Sequence, residues 1–135
     1  MMANVEEILS EVLKQVYKEY IGMVEIEKLT RELEDALNRS DDKAAELVLE
    51  MRQREIDNIS QAKQAIGEFL RSMDQDLRED VKHLLEGEPP KEQSGPEAEK
   101  ISNISRQRNN MLKSICTIDR VLSRRVAGKD SYYNE

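Results

Sequence analysis

The sequence predicts an all-α protein, and two observations support that prediction. Charged residues make up 36% of the 135 positions, glycine and proline together occupy only eight, and most other residues are good helix formers. Apolar residues recur at steps of three and four over long stretches, which is the spacing of a helix face. We therefore expect a long antiparallel helical hairpin plus a third helix after a proline-rich linker, arranged as a three-helix bundle or an elongated coiled coil.

The first helix is predicted by apolar residues that continue at helical spacing from Val5 to Leu37. Asn4 stands where an N-cap is needed, and the sequence NRSDD at positions 38–42 supplies an end and a new start. At about 1.5 Å per residue, this helix would be on the order of 50 Å long.

The second helix continues the pattern over residues 44–73, with Arg52 and Glu55 interrupting its apolar stripe. Because the connection is short, we expect the two helices to be antiparallel neighbours. The helical spacing persists over residues 74–86, either as a continuation of the second helix or as a separate short helix after a bend near Asp74.

A linker follows, because all three prolines and two of the five glycines lie in the sequence GEPPKEQSGP. Prolines remove backbone donors, so this segment is predicted to be extended and mobile. Gly128 is a plausible residue to end the last helix. The predicted segments are therefore the hairpin with its short helical extension (1–86), the linker (87–96), the third helix (97–127) and a tyrosine-bearing tail (128–135).

The third helix has two contrasting faces. Its apolar residues follow heptad-like spacing from Ile101 to Val126, whereas residues 101–127 carry six basic side chains against one acid. Four of the basic residues form a stripe opposite the apolar face: Arg106, Lys113, Arg120 and Arg124. This stripe is either a solvated face or a cationic surface displayed to an acidic partner.

The chain offers little for catalysis, since it has one histidine and one cysteine. His83 and Cys116 fall on different predicted helices, and nothing in the sequence brings them together. We interpret Cys116 as a small side chain that flanks the packed face. A di-metal carboxylate bundle needs several acid-x-x-His pairs, and only Asp80 with His83 has that spacing. We predict no enzyme activity, no metal and no cofactor.

Charge and hydropathy favour a protein that works through protein surfaces. The formal net charge of −7 weighs against nucleic-acid binding, which depends on Lys and Arg, although binding through the basic stripe stays open as an alternative. No stretch approaches the roughly 18 apolar residues of a membrane span. The N-terminal MMANVEEILSEV lacks the basic start and apolar run of a secretory signal. We expect a cytoplasmic protein without membrane insertion.

Three passages resemble the FlgN family of flagellar export chaperones. The sequence LTRELEDALNRSDDKAAELVLEMRQREIDNI is similar to the helical hairpin of that family, and RQRNNMLKSICTIDRVLSRRV is similar to its last helix, with Asn109, Asn110 and Leu112 in the asparagine-leucine region. The third passage is the end, GKDSYYNE, where the family commonly places glycine soon after a tyrosine and this chain has Asn134 after Tyr133.

The resemblance implies a chaperone for flagellar hook-associated proteins of the hook-filament junction, which guards their disordered ends and delivers them to the export gate. It implies that Tyr132 and Tyr133 contact the cytoplasmic domain of that gate. It also implies that the client packs on the third helix by the helix-in-groove mode. The client-binding residues expected there are Asn109, Met111, Leu112, Ile115, Ile118 and Leu122.

The main alternative is a structural coiled-coil adapter or oligomeric scaffold without a client cycle. A homodimer would cover apolar stripes that a three-helix monomer leaves open.

Overall fold

The fold is described by a computed structural model that covers residues 4–91 and 95–134, with the side chains of residues 123–134 outside the description. The described residues form four helices and contain no strand. The helices are α1 (Val5–Asn38), α2 (Asp42–Ser72), α3 (Gln75–Leu85) and α4 (Pro96–Asn134). The all-helical prediction is confirmed, and α3 is a separate helix and not a continuation of α2.

Three of the helices begin at polar side chains that satisfy free backbone donors. The side chains of Asn4, Asp41 and Asp74 accept backbone N–H groups at 3.0, 3.1 and 2.8 Å, respectively. At the corner between α2 and α3, Arg78 donates a 2.9 Å hydrogen bond to the carbonyl of Leu70 near the end of α2. The bend near Asp74 is therefore a helix end followed at once by a capped helix start.

α1 is the central helix, because α2 and α4 both pack along it. The core joins Val12 of α1, Ile66 of α2 and Ile101 of α4 at one end of the molecule, and Leu33, Val48 and Leu122 from the same three helices at the other. A third cluster between them contains Met23, Ile26 and Ile115. α2 therefore runs antiparallel to α1, and α4 runs parallel to it.

α3 and the described part of the linker are attached to α4. Val81 and Leu84 of α3 are buried in the same cluster as Ile101. Gly87 ends α3 with a φ of +88°, a left-handed conformation that glycine adopts readily. Ser102 Oγ then donates to the Glu88 carbonyl at 2.7 Å. The linker thus contacts α4 directly, where the sequence predicted an extended and mobile segment.

The predicted end of the last helix at Gly128 is wrong. The backbone of α4 continues through Gly128 to Asn134. A glycine inside a helix costs only about 1 kcal/mol relative to alanine, and Gly128 lies between the helix formers Ala127 and Lys129. One glycine without a following proline is therefore too weak a signal to stop the helix.

We expect substitution of Gly22 to test the close contact between α1 and α2. A Cβ atom at Gly22 would lie 2.7 Å from Cγ1 of Ile59, so Gly22→Leu should lower the free energy of unfolding by about 1–3 kcal/mol through overpacking. Gly67→Leu is the matched control, because a Cβ at Gly67 would meet no atom within 4 Å. Urea unfolding followed by circular dichroism measures both variants, and equal losses of stability would contradict this packing.

Candidate binding groove

A groove opens between α2 and α4 because both helices pack along α1 while their own backbones stay apart. In the described chain, no Cα atom of α2 comes within 8 Å of one of α4. We call this space the α2–α4 groove; its volume is about 670 Å³. Its lining residues are Glu19, Met23, Ile26, Arg52, Ile56, Ile59, Ser60, Lys63, Ile66, Gly67, Leu70, Leu85, Arg108, Asn109, Leu112, Ile115, Cys116 and Asp119.

The surface of the groove is largely apolar. Met23 and Ile26 of α1 form its floor together with Ile115 of α4, and all three are buried. On the walls, Ile56 of α2 is 38% exposed and Leu112 of α4 is 45% exposed. Large apolar side chains exposed together in a concave surface mark a binding site more often than single exposed ones do.

The α2 wall contains two small residues, Ser60 and Gly67. Gly67 is in the interior of a helix, where glycine costs about 1 kcal/mol relative to alanine. No atom lies within 4 Å of the position that its Cβ would occupy, so no packing contact inside the chain requires a glycine. The missing side chain instead leaves the groove open at this point.

Arg108 closes one end of the groove. Its Nη1 donates to Oε1 of Glu19 in α1 at 2.9 Å, and its Nη2 donates to the carbonyl of Leu85, the last residue of α3, at 2.6 Å. Asn109 accepts from Arg108 Nε at 3.1 Å and also donates to the Leu85 carbonyl at 3.3 Å. This end of the groove is therefore held by hydrogen bonds among α1, α3 and α4.

Glu19 is buried, with 5% of its surface exposed. Burial raises the pKa of its carboxyl above the usual value of 4.5, because removal from water penalises the charged form, while Arg108 and, more weakly, Lys63 act in the opposite direction. The carboxyl therefore binds a proton more readily in the folded chain than in the unfolded one.

An ion pair spans the other end of the groove. Nη2 of Arg52 donates to both carboxylate oxygens of Asp119 at 2.9 Å. This pair is a direct side-chain link between α2 and α4, and it explains why Arg52 interrupts the apolar stripe of α2. It also accounts for Asp119, the single acid among the six basic residues of positions 101–127.

The six residues expected to bind a client divide into two groups. Asn109, Leu112 and Ile115 line the α2–α4 groove. The other three, Met111, Ile118 and Leu122, pack against the clusters centred on α1. The apolar stripe of α4 is thus mainly part of the core of the bundle, because helical spacing alone does not distinguish an internal partner from an external one.

Sequence reasoning missed the contribution of α2 to this site. Ile56, Ser60 and Gly67 lie beside the apolar stripe of α2, whose buried residues include Val48, Ala62 and Ile66. The available signal was Gly67, an isolated glycine without a cap or turn to justify it in a segment of strong helix formers.

The basic residues of α4 do not form one uniform stripe. Arg106, Lys113 and Arg120 are exposed, and Arg106 donates to the Gly87 carbonyl at 3.0 Å, whereas Arg108 is largely buried, with 12% of its side chain exposed. The side chain of Arg124 lies outside the described residues, as do those of Tyr132 and Tyr133, whose backbone belongs to the last turn of α4.

Cys116 and His83 lie in different surroundings. Cys116 is exposed and lines the groove, next in the chain to the buried Ile115. His83 Nδ1 lies 2.8 Å from Oε2 of Glu88 and 3.9 Å from Oε2 of Glu86. These three exposed side chains are close enough together to hold a cation, but exposed ion pairs have the same geometry, and we assign no metal to them.

No family model matches the chain, and no curated protein or solved structure shows a significant match to it. Among the described residues, no helix has the length and apolar character needed to cross a membrane.

We expect Glu19 to give the unfolding free energy a specific pH dependence. Because the folded chain binds this proton more readily, the wild type should gain stability relative to Glu19→Gln as the pH falls from neutral towards 4.5. Urea unfolding at several pH values measures the difference, with Glu46→Gln as a control at an exposed carboxyl. A wild type that loses stability relative to Glu19→Gln in this window would show that Arg108 outweighs burial.

Proposed function

We propose that this protein is a chaperone that binds an amphipathic helical segment of a client protein in the α2–α4 groove. In line with its resemblance to the FlgN family, we further propose that the clients are flagellar hook-associated proteins and that the protein delivers them to the export gate. The observation that carries the proposal is the groove itself, which is apolar, open on one side and bounded by two long helices.

The dimensions of the groove fit a helix. Its α2 wall extends from Arg52 to Leu70, about 27 Å at 1.5 Å per residue, and its α4 wall from Arg108 to Asp119, about 17 Å, so a client segment of about 11 to 18 residues would lie along it. Such a segment would occupy the position of a further helix beside α1, α2 and α4 and would cover Ile56 and Leu112. Each large apolar side chain removed from water contributes about 1.5–3 kcal/mol.

The proposal assigns different roles to the helices. The antiparallel pair α1 and α2 forms the scaffold, and α4, the helix after the proline-rich linker, supplies the second wall. A client in the groove would contact Asn109, Leu112 and Ile115 without displacing α4 from α1. Met111, Ile118 and Leu122 would support that wall from inside the bundle.

The clients proposed are disordered ends that fold when they bind. Ordering such a segment costs conformational entropy, which keeps the affinity moderate for a given buried area. Moderate affinity suits a carrier that must release its client at the export gate. No nucleotide or metal is needed for this cycle.

A substitution at Gly67 tests the groove. Gly67→Leu should lower the affinity for the terminal segments of hook-filament junction proteins at least tenfold (about 1.4 kcal/mol), because the new side chain would occupy the space of the client. Isothermal titration with peptides of these segments from the source organism measures the affinity. Gln64→Leu is the matched control, since Gln64 is exposed on α2 and does not line the groove.

The two variants separate groove binding from general surface effects. If the wild type binds the peptide and Gly67→Leu binds it with the same affinity, docking in the groove is contradicted. Equal losses in Gly67→Leu and Gln64→Leu would place the peptide elsewhere on α2.

The tyrosines at the end of α4 should serve delivery and not client binding. They lie about ten residues beyond Leu122, the last α4 residue described as buried. A tyrosine ring is an efficient anchor in a partner pocket, so the double variant Tyr132→Ala, Tyr133→Ala should bind client peptide normally but lose about tenfold or more in affinity for the cytoplasmic domain of the gate. Unchanged affinity for that domain would remove the tyrosines from the proposal.

One observation favours the alternative of an adapter or oligomeric scaffold. Tyr17, Ile21 and Val24 are exposed at steps of four and three on the outer side of α1. A second copy packed there would form a homodimer. Light scattering measures the oligomeric state, and titration with junction-protein peptides measures client binding. A dimer that Ile21→Glu dissociates and that binds no peptide supports the scaffold. A monomer that binds the peptides supports the chaperone.

A further inference from the structure

The charges of the α2–α4 groove are unevenly balanced. Both acids that line it are already paired within the chain: Glu19 with Arg108 and Asp119 with Arg52, each at 2.9 Å. A cation on the α2 wall, Lys63, is exposed and forms no ion pair with any residue that the structure describes.

Two further cations lie along the α4 side of the opening. Asn109, Lys113, Cys116 and Arg120 follow one another at steps of four, three and four, so they share one stripe of the helix. Asn109 and Cys116 line the groove, which places Lys113 and Arg120 along its edge. We call Lys113 and Arg120 the basic edge. Both are exposed, and neither is ion-paired with a described residue.

The opposite edge of the groove, on α2, has no excess of positive or of negative charge. Asp57 follows Ile56 in the chain, and its carboxylate accepts a 3.0 Å hydrogen bond from Gln53. Lys63 continues along the same helix and carries the opposite charge. The groove is therefore basic along α4 and of mixed charge along α2, in a protein whose formal net charge is −7.

We infer that the helix bound in the groove carries acidic side chains along the edge that faces Lys113 and Arg120. This inference rests on the proposed function and specifies the chemistry of the client. A row of Glu or Asp beside the apolar face would meet unpaired cations on α4. Because the protein as a whole carries a net charge of −7, such a segment would be attracted at this edge more than elsewhere, which selects one orientation of the bound helix.

Two peptides test the inference directly. Each is an amphipathic helix of about 18 residues, held helical by a side-chain cross-link, with the same Leu and Ala residues on its apolar face. One carries Glu and the other Lys at the positions that flank this face. Fluorescence anisotropy measures their affinities at about 0.05 M and about 0.5 M salt, since exposed charge interactions are screened over this range.

The Glu peptide should bind more tightly than the Lys peptide, and high salt should reduce the difference. The double variant Lys113→Glu, Arg120→Glu should weaken binding of the Glu peptide by about tenfold, because exposed ion pairs are each worth a factor of up to about five. The control variant Lys28→Glu, Lys43→Glu makes the same change in net charge at exposed positions that do not line the groove. It should leave the affinity nearly unchanged.

The outcomes distinguish the charge of the client from the existence of the site. If both peptides bind with equal affinity and Gly67→Leu abolishes this binding, the inferred role of the basic edge is wrong, but the groove remains the binding site. Tighter binding of the Lys peptide would also overturn the inference. Binding of neither peptide, or binding that Gly67→Leu does not change, would reject both the inference and the proposed groove. Circular dichroism confirms folding of each variant, and Lys113→Gln, Arg120→Gln replaces the double reversal if that variant unfolds.

Discussion

The position of α4 depends on Arg108, and the groove depends on the position of α4. The Arg108 side chain donates to Glu19 in α1 and to the carbonyl of Leu85 at the end of α3, so it joins three helices. A buried ion pair adds little net stability, because desolvation offsets the attraction, but removing one partner costs about 3–5 kcal/mol. A shift of α4 along α1 that separated Arg108 from Glu19 would leave the Glu19 carboxyl buried without its partner. In the observed arrangement the backbones of α2 and α4 stay more than 8 Å apart, and the apolar surface between them is open.

The same constraint gives the proposed function its physical basis. The backbones of α2 and α4 stay more than 8 Å apart and are linked at one end by the Arg52–Asp119 pair, so the groove between them is open to a further helix, which would cover the exposed Ile56 and Leu112. The groove is bounded at both ends, by Arg108 with α3 and by the Arg52–Asp119 pair. A client helix of limited length would therefore fit without rearrangement of the core. The basic edge adds a preference for one orientation of that helix, while apolar burial supplies most of the affinity.

Local chemistry made much of the fold predictable from the sequence. Asn4 caps α1 as expected, and the apolar periodicity of the first two helices identifies the faces that pack. Long-range relations were not predictable in the same way. The stripe through Ile115 and Leu122 has the spacing of a binding face, yet it packs on α1, and only tertiary structure shows which surface it meets. Gly128 resembles a helix end but carries too small a penalty to stop α4.

The reactivity of Cys116 measures the central claim most directly, because this residue is the single cysteine, is exposed and lines the groove. The thiol of the native protein is modified by a disulfide reagent such as 5,5′-dithiobis(2-nitrobenzoate), with and without a peptide from the end of a hook-filament junction protein. The account predicts ready modification of the free protein and a rate that falls in proportion to bound peptide. A rate that stays unchanged at saturating peptide would contradict binding in the α2–α4 groove.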